Sequence, residues 1–204
     1  MRKSSRERLT EITQTDRALW AQGIAFAGID EAGRGPLAGP VAAGCCVMPA
    51  SPLLEGVDDS KKLSAQKREA LYDQILSTAV FANVGYASVE EINSLNILEA
   101  TRLAMARAAE GAPCGLFLLD AMEGVALPGE CRSIVHGDAL CYSIAAASIL
   151  AKVSRDRLMG ELDAQYPQYG FAKHKGYGTR EHIAALRQYG PCAAHRALFV
   201  RNFL

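Results

Sequence analysis

The 204-residue chain has no apolar run approaching the roughly 20 residues that a membrane span needs, because Gly23 and Gly28 interrupt the stretch around Phe26. It has no net charge either: 22 Lys and Arg balance 22 Asp and Glu, which excludes a uniformly basic coat for a polyanion. None of its six cysteines (Cys45, Cys46, Cys114, Cys131, Cys141, Cys192) forms a C-x-x-C pair or stands at zinc-finger spacing from His174 or His182. Most sit among apolar neighbours, so they are expected to be structural thiols of a reducing compartment. Arg2, Lys3, Arg6 and Arg8 are followed by no apolar segment, so the N-terminus does not read as a secretory signal and a cytoplasmic location is expected. Internal repeats, long linkers and low-complexity tracts are also missing. What remains is ordinary globular composition, half of it apolar, at a length that suits one domain.

The zero net charge conceals an asymmetry. Residues 152–204 carry 9 basic against 4 acidic side chains, and the preceding 151 carry 13 against 18. Solvated faces account for such a split as well as a polyanion site does, unless other features choose between them.

Local patterns predict the elements. Residues 6–20 read as an amphipathic helix with Leu9, Ile12, Leu19 and Trp20 on its packing side. Ile24–Ile29 reads as a buried strand that meets Asp30 and Glu31, and a Gly/Pro-rich loop then leads to a second apolar run, Val41–Met48. Ser64 caps a helix over about 65–78, a strand follows at Val80–Ala87, and Ser88 caps a short helical piece before a helix over 96–110. Gly115–Leu119 is a further buried strand ending in a carboxylate, Asp120. Cys131–Val135 leads through His136 and Gly137 to Asp138 and an Ala-rich helix from about Leu140 past Leu162. Residues 166–178 read as loop, and Thr179 caps a helix over 180–189. This succession implies a mixed sheet with helices on its faces.

Three acids, Asp30, Glu31 and Asp120, thus end apolar strands, and Asp138 opens a helix. A helix cap or turn accounts for Asp138 taken alone. Three carboxylates at strand ends, where ligands of mixed sheets gather, with a fourth opening a helix just after a strand, predict a cluster whose repulsion a cation must offset. Oxygen ligands without Cys or His point to Mg²⁺ or Mn²⁺, and two such ions suit phosphoryl transfer. The loop from Gly33 to Pro40 lacks the Lys-Ser/Thr of a P-loop and the spacing of G-x-G-x-x-G. Its Gly33-Arg34-Gly35 turn lets backbone amides approach a sugar or phosphate, though a hairpin that needs glycine for geometry alone accounts for it equally well.

The segment Gly28-Ile29-Asp30-Glu31-Ala32-Gly33-Arg34-Gly35-Pro36-Leu37-Ala38-Gly39-Pro40-Val41 resembles the opening signature of bacterial ribonuclease HII. The resemblance recurs, in the family's order, at Asp59–Leu63, Asn96–Leu98, Leu119-Asp120, Gly137-Asp138, Ala146–Val153 and His174–Tyr177. It implies a ribonuclease H-like α/β fold: a five-stranded mixed sheet flanked by helices, with helical C-terminal additions. A single catalytic domain over 1–204 is expected, with an N-terminal helical extension at 1–22 and a substrate-binding loop and helical region from about 166 to 204.

The resemblance further implies a metal-dependent endoribonuclease acting on RNA–DNA hybrids and on ribonucleotides embedded in duplex DNA, as in ribonucleotide excision repair. Asp30, Glu31, Asp120 and Asp138 correspond to the family's acids, which hold two Mg²⁺ or Mn²⁺ ions. Gly33-Arg34-Gly35 corresponds to its segment at the ribose 2′-hydroxyl, and Tyr177 to the tyrosine against the sugar at the RNA–DNA junction. The 2′-hydroxyl is the local mark of a ribonucleotide, so such contacts are what discrimination requires. Lys61, Lys62, His136, Ser148, Lys152 and Lys175 are expected to contact substrate, the cations among them by holding phosphates without reading sequence. A monomer without membrane contacts is expected.

Two departures stand out. His136 replaces the Lys common before the Gly-Asp pair, and so carries positive charge only when protonated. Ala121 replaces the Gly common after the second strand-end Asp. The alternatives are a binder of RNA–DNA hybrids that does not cut, or another nuclease of this fold such as a transposase or junction resolvase. The first gains nothing from repelling acids beside a polyanion, and the second has no use for ribose discrimination.

Overall fold

The computed structural model describes residues 4–204, so Arg2 and Lys3 of the basic N-terminal cluster lie outside the described residues. The strands are β1 (Phe26–Ala32), β2 (Val41–Val47), β3 (Phe81–Ala87), β4 (Leu116–Asp120) and β5 (Glu130–Ile134). They form one mixed sheet in the order β3-β2-β1-β4-β5. β2 runs antiparallel to both β1 and β3, while β4 runs parallel to β1 and to β5. The helices are α1 (Ser5–Ile12), α2 (Gln14–Ala21), α3 (Ala65–Thr78), α4 (Val89–Leu95), α5 (Ile97–Ala109), α6 (Gly137–Leu140), α7 (Tyr142–Gln165), α8 (Phe171–His174), α9 (Arg180–Tyr189) and α10 (Ala197–Val200). The expected mixed sheet with helical C-terminal additions is therefore present.

Successive strand residues point to opposite faces, and this sorts the core into two layers. Ala27 and Ile29 of β1, Ala43 and Cys45 of β2, and Phe117 and Leu119 of β4 pack under Ala100, Ala104 and Met105 of α5. On the other face, Phe26, Leu116 and Leu118 meet Ile144, and Cys46 meets Ala146 and Leu150 of α7. Helix α7 lies unusually close to the sheet. A Cβ at Gly28 would overlap the Ser143 backbone, and one at Gly44 would overlap the Ala147 carbonyl oxygen. The run Ala145-Ala146-Ala147 is the matching small surface on the helix.

Several boundaries differ from the sequence pattern for identifiable reasons. The segment 6–20 is two helices broken at Thr13, whose hydroxyl donates to the Leu9 carbonyl at 2.7 Å. β1 begins at Phe26 and continues to Ala32, so Asp30 and Glu31 lie within the strand, still paired to Gly44 and Ala43 of β2. The Ala-rich helix begins at Tyr142, because extended Cys141 separates it from the single turn of α6. Its N-terminus is capped from a distance: Asp16 of α2, fully buried, accepts from the amides of Tyr142 at 3.0 Å and Ser143 at 2.9 Å. The stretch 166–178 holds one short helix, α8, instead of loop alone. Three cysteines are buried as expected (Cys45, Cys46 and Cys141), but Cys131 is exposed. Among the described residues no helix is long and apolar enough to cross a membrane.

Candidate active site

Parallel pairing of β1 with β4 ends at Ile29 and Leu119. The next residue on each strand is an aspartate, and both project toward the face that carries α7, because Asp30 follows the parity of Gly28 and Asp120 that of Leu118. Asp138, on the first turn of α6, comes down on the same face. Carboxylate oxygens of Asp30, Asp120 and Asp138 all lie within 4.8 Å of one another. The amide of Gly137 donates to Asp120 Oδ1 at 2.7 Å, which ties α6 to the end of β4, and the amide of Glu31 donates to Asp30 Oδ1 at 2.7 Å.

Glu31 stands apart from this trio. Strand alternation aims it the other way, where its Oε1 lies 3.5 Å from Arg34 Nη1 and its Oε2 is buried without a hydrogen-bond partner. Three converging carboxylates are the donor set of a hard-cation site, and the Glu31 charge still reaches Asp30. The electrostatics agree. Burial, then the charges of Glu31, Asp120 and Asp138, push Asp30 well above the usual carboxylate range. Burial and the Asp138 charge raise Asp120, and burial raises Glu31 against the pull of Arg34. Lys61 leans into the cluster, its Nζ 3.3 Å from Asp138 Oδ2, and its own proton is held more tightly by Asp138, Asp30 and Asp59 despite partial burial.

The loop Gly33–Pro40 borders this cluster. Arg34 is 47% exposed, and a Cβ on Gly35 would stand 3.8 Å from Cε1 of the Tyr177 ring, itself 46% exposed. Gly35 and Tyr177, 142 positions apart in sequence, thus form one surface. Lys152 and Lys175 line a neighbouring cleft of about 340 Å³ with Arg68, Arg157 and Lys173, where Lys152 bonds Asp156 Oδ1 at 2.7 Å and Lys175 bonds the Asp156 carbonyl at 3.3 Å.

The remaining expected contacts are Lys62, Ser148 and His136. Lys62 faces Asp58 and Asp59 at 3.7 and 3.8 Å. Ser148 is buried, its hydroxyl donating to the Ala145 carbonyl and accepting from the Ser60 amide, which steadies the 3₁₀ turn carrying Lys61. His136 is exposed and caps α6 in the left-handed conformation, φ 57°.

Sequence reasoning missed two buried arginines, Arg155 and Arg196. Arg155 carried a readable signal, since it sits one helical turn from Ala151 and from Met159 on the buried stripe of α7. Arg196, between a loop and a single helical turn, carried none.

A family model described as Ribonuclease HII matches residues 27–202. A Ribonuclease HII of Desulfitobacterium hafniense (strain DSM 10664 / DCB-2) is 55% identical over 196 residues, 95% of this chain and 75% of that protein. The crystal structure of the ribonuclease H2 from Pyrococcus horikoshii OT3 superposes with a TM-score of 0.74 at 24% identity, over 88% of this chain and 97% of that one. Bst-RNase HIII in complex with Mn²⁺ superposes with a TM-score of 0.60 at 15% identity, over 86% and 67%. The fold is that of the ribonuclease H group. With an aspartate trio on that fold and a family match running nearly end to end, the chain belongs to the ribonuclease HII family of metal-dependent endoribonucleases.

Proposed function

We propose that the chain cuts the RNA strand of RNA–DNA hybrids and incises duplex DNA on the 5′ side of an embedded ribonucleotide, leaving 3′-hydroxyl and 5′-phosphate ends. The observation that carries this reading is the junction of two surfaces. The aspartate trio, with oxygens within 4.8 Å of one another, borders a glycine loop whose Gly35 lies against the Tyr177 ring.

Asp30, Asp120 and Asp138, joined by the unpartnered Oε2 of Glu31, would hold Mg²⁺ or Mn²⁺; all are hard oxygen donors, and the cluster is repulsive without a cation. Bound there, two divalent ions supply an activated water and stabilisation of the leaving oxygen for in-line displacement. The side chains bind and position, and none need act as a nucleophile. The backbone amides of the Gly33-Arg34-Gly35 turn approach the ribose and its 2′-hydroxyl, and the Arg34 guanidinium offers a fork to an adjoining phosphate. The flat face of Tyr177 packs on the following sugar and leaves no room for a further 2′-hydroxyl. Lys61, and Lys152 with Lys175 in their cleft, hold phosphates and set register. The working form is expected to be a cytoplasmic monomer.

A labelled DNA duplex with one internal ribonucleotide tests the reading. Incision 5′ to the ribonucleotide with Mg²⁺ or Mn²⁺, and none in EDTA, is expected. Binding without incision would instead make the chain a hybrid binder, and cutting of an all-DNA duplex would make it a nuclease of another specificity.

A further inference from the structure

Arg155 and Arg196 are among the largest fully buried side chains of the protein, 1% and 0% exposed. Burying a guanidinium costs several kcal/mol unless it is compensated, ordinarily by a carboxylate. Here every hydrogen bond of the two guanidinium groups goes to a backbone carbonyl. Arg196 donates to Gly33 at 2.6 Å, Arg34 at 2.9 Å, Gly39 at 2.9 Å and Pro40 at 3.2 Å. Arg155 donates to Pro40 at 2.9 Å, Ala38 at 3.1 Å and, on a different segment, Lys175 at 3.0 Å.

These acceptors are not scattered. Apart from Lys175, they all belong to the loop Gly33–Pro40, an irregular turn whose inward carbonyls need donors. A guanidinium provides five donors in one rigid plane, and no other side chain can span several carbonyls in this way. Gly33, at φ 101°, lies directly on Arg155, where a Cβ would overlap the guanidinium Nε. Lys175 neighbours Gly176, whose carbonyl accepts from the Leu37 amide at 2.8 Å, and the amide of Arg196 donates to the Leu37 carbonyl at 2.9 Å. Arg155 therefore reaches from α7, the helix behind the aspartate trio, to both segments that meet a sugar in the proposed function. Arg196 clamps one of them. Neither arginine bonds a residue of the trio.

We propose that Arg155 and Arg196 are positioning residues that set the separation between the Gly33-Arg34-Gly35 turn and the Tyr177 ring. By doing so they set how well an isolated ribonucleotide in DNA is distinguished from a continuous RNA strand. The proposal rests on the reading of those two segments as sugar contacts. A displacement of about 1 Å in such a pair costs up to about 100-fold in rate, so the separation governs selectivity without touching the carboxylates.

The test is a one-tube competition between a duplex holding a single ribonucleotide and an all-RNA–DNA hybrid, which makes the rate ratio independent of how much enzyme is folded. Arg155→Lys and Arg196→Lys keep the charge and lose the fork. Tyr177→Ala is the reference, and Mn²⁺ binding to the free protein, read by calorimetry, reports the carboxylates. Each lysine variant is expected to shift the ratio at least tenfold in the direction given by Tyr177→Ala, with Mn²⁺ affinity within twofold of the parent.

A parent-like ratio in the lysine variants, with both rates falling together, would make the arginines structural and overturn the proposal. So would a failure of both variants to fold at 10 °C by near-ultraviolet circular dichroism. If Tyr177→Ala itself leaves the ratio unchanged, the reading of the sugar contacts fails first, and the positioning role fails with it.

Discussion

Asp30 and Asp120 were legible in the sequence because a carboxylate directly after an apolar run has few structural reasons to be there; Asp138, which opens a helix, became legible in their company, and the structure brings all three to one face. The separate stance of Glu31 follows from the same alternation that aligns the others, and it becomes readable only once β1 is known to continue through Ala32. Asp120→Asn is expected to abolish incision, at least 1000-fold in kcat, while duplex affinity stays equal or rises slightly as a charge facing phosphate is removed. Gel shift and single-turnover cleavage measure the two, and turnover within tenfold of the parent would remove Asp120 from the ligand set. The neighbouring Ala121 holds φ 44°, a left-handed conformation that costs a residue with a Cβ about 1 kcal/mol. Ala121→Gly should stabilise the fold by about 0.5–1 kcal/mol. An unchanged or lower urea midpoint would contradict this.

Most elements could be read from capping and periodicity: Ser64 accepts from the Lys67 amide, Ser88 forms a capping box with Glu91, and Asn96 accepts from the Leu98 and Glu99 amides. The breaks at Thr13 and Cys141 could not, since neither involves Gly or Pro; the first turns on a hydroxyl bonding back to Leu9 and the second on Asp16, far along the chain. Asp16 is the instructive case. Its carboxylate serves a helix 126 residues away at Tyr142, so no local pattern announces it. Asp16→Ala would leave two buried amides at the start of α7 without an acceptor, and is expected to cost about 2 kcal/mol. Denaturant unfolding reads this directly, and a loss under 0.5 kcal/mol would mean that water replaces the cap.

For the molecule as a whole, the basic excess after residue 151 is only partly a surface property, because Arg155 and Arg196 lie inside. Composition cannot tell a phosphate-facing cation from an interior clamp. The C-terminal region also holds a histidine seam beside its backbone bridge to the body. His195 forms a bridge with Ala38 and lies 3.0 Å, Nε2 to Nε2, from His182, which stacks on His174. Burial, then the neighbouring His182, pushes His195 down to about 4, and burial lowers His182. An unfolded histidine takes up a proton near pH 6.5, above the folded value, so this seam contributes fully above about pH 6.5 and its contribution is lost as pH falls toward 4. Tm should decline across that window, and His195→Gln should flatten the decline. Parallel pH profiles for the two proteins would exclude the seam as its origin.

The clamp formed by Arg196 also imposes an order on synthesis. The hairpin of β1 and β2 is available early, the trio needs Asp138, and α7 must be complete to carry Arg155. Arg196 is made only after all of these. Asp138, the last carboxylate of the trio, thus precedes Arg196 by 58 residues, so the groups for cutting are all synthesised well before the second half of the clamp that frames them.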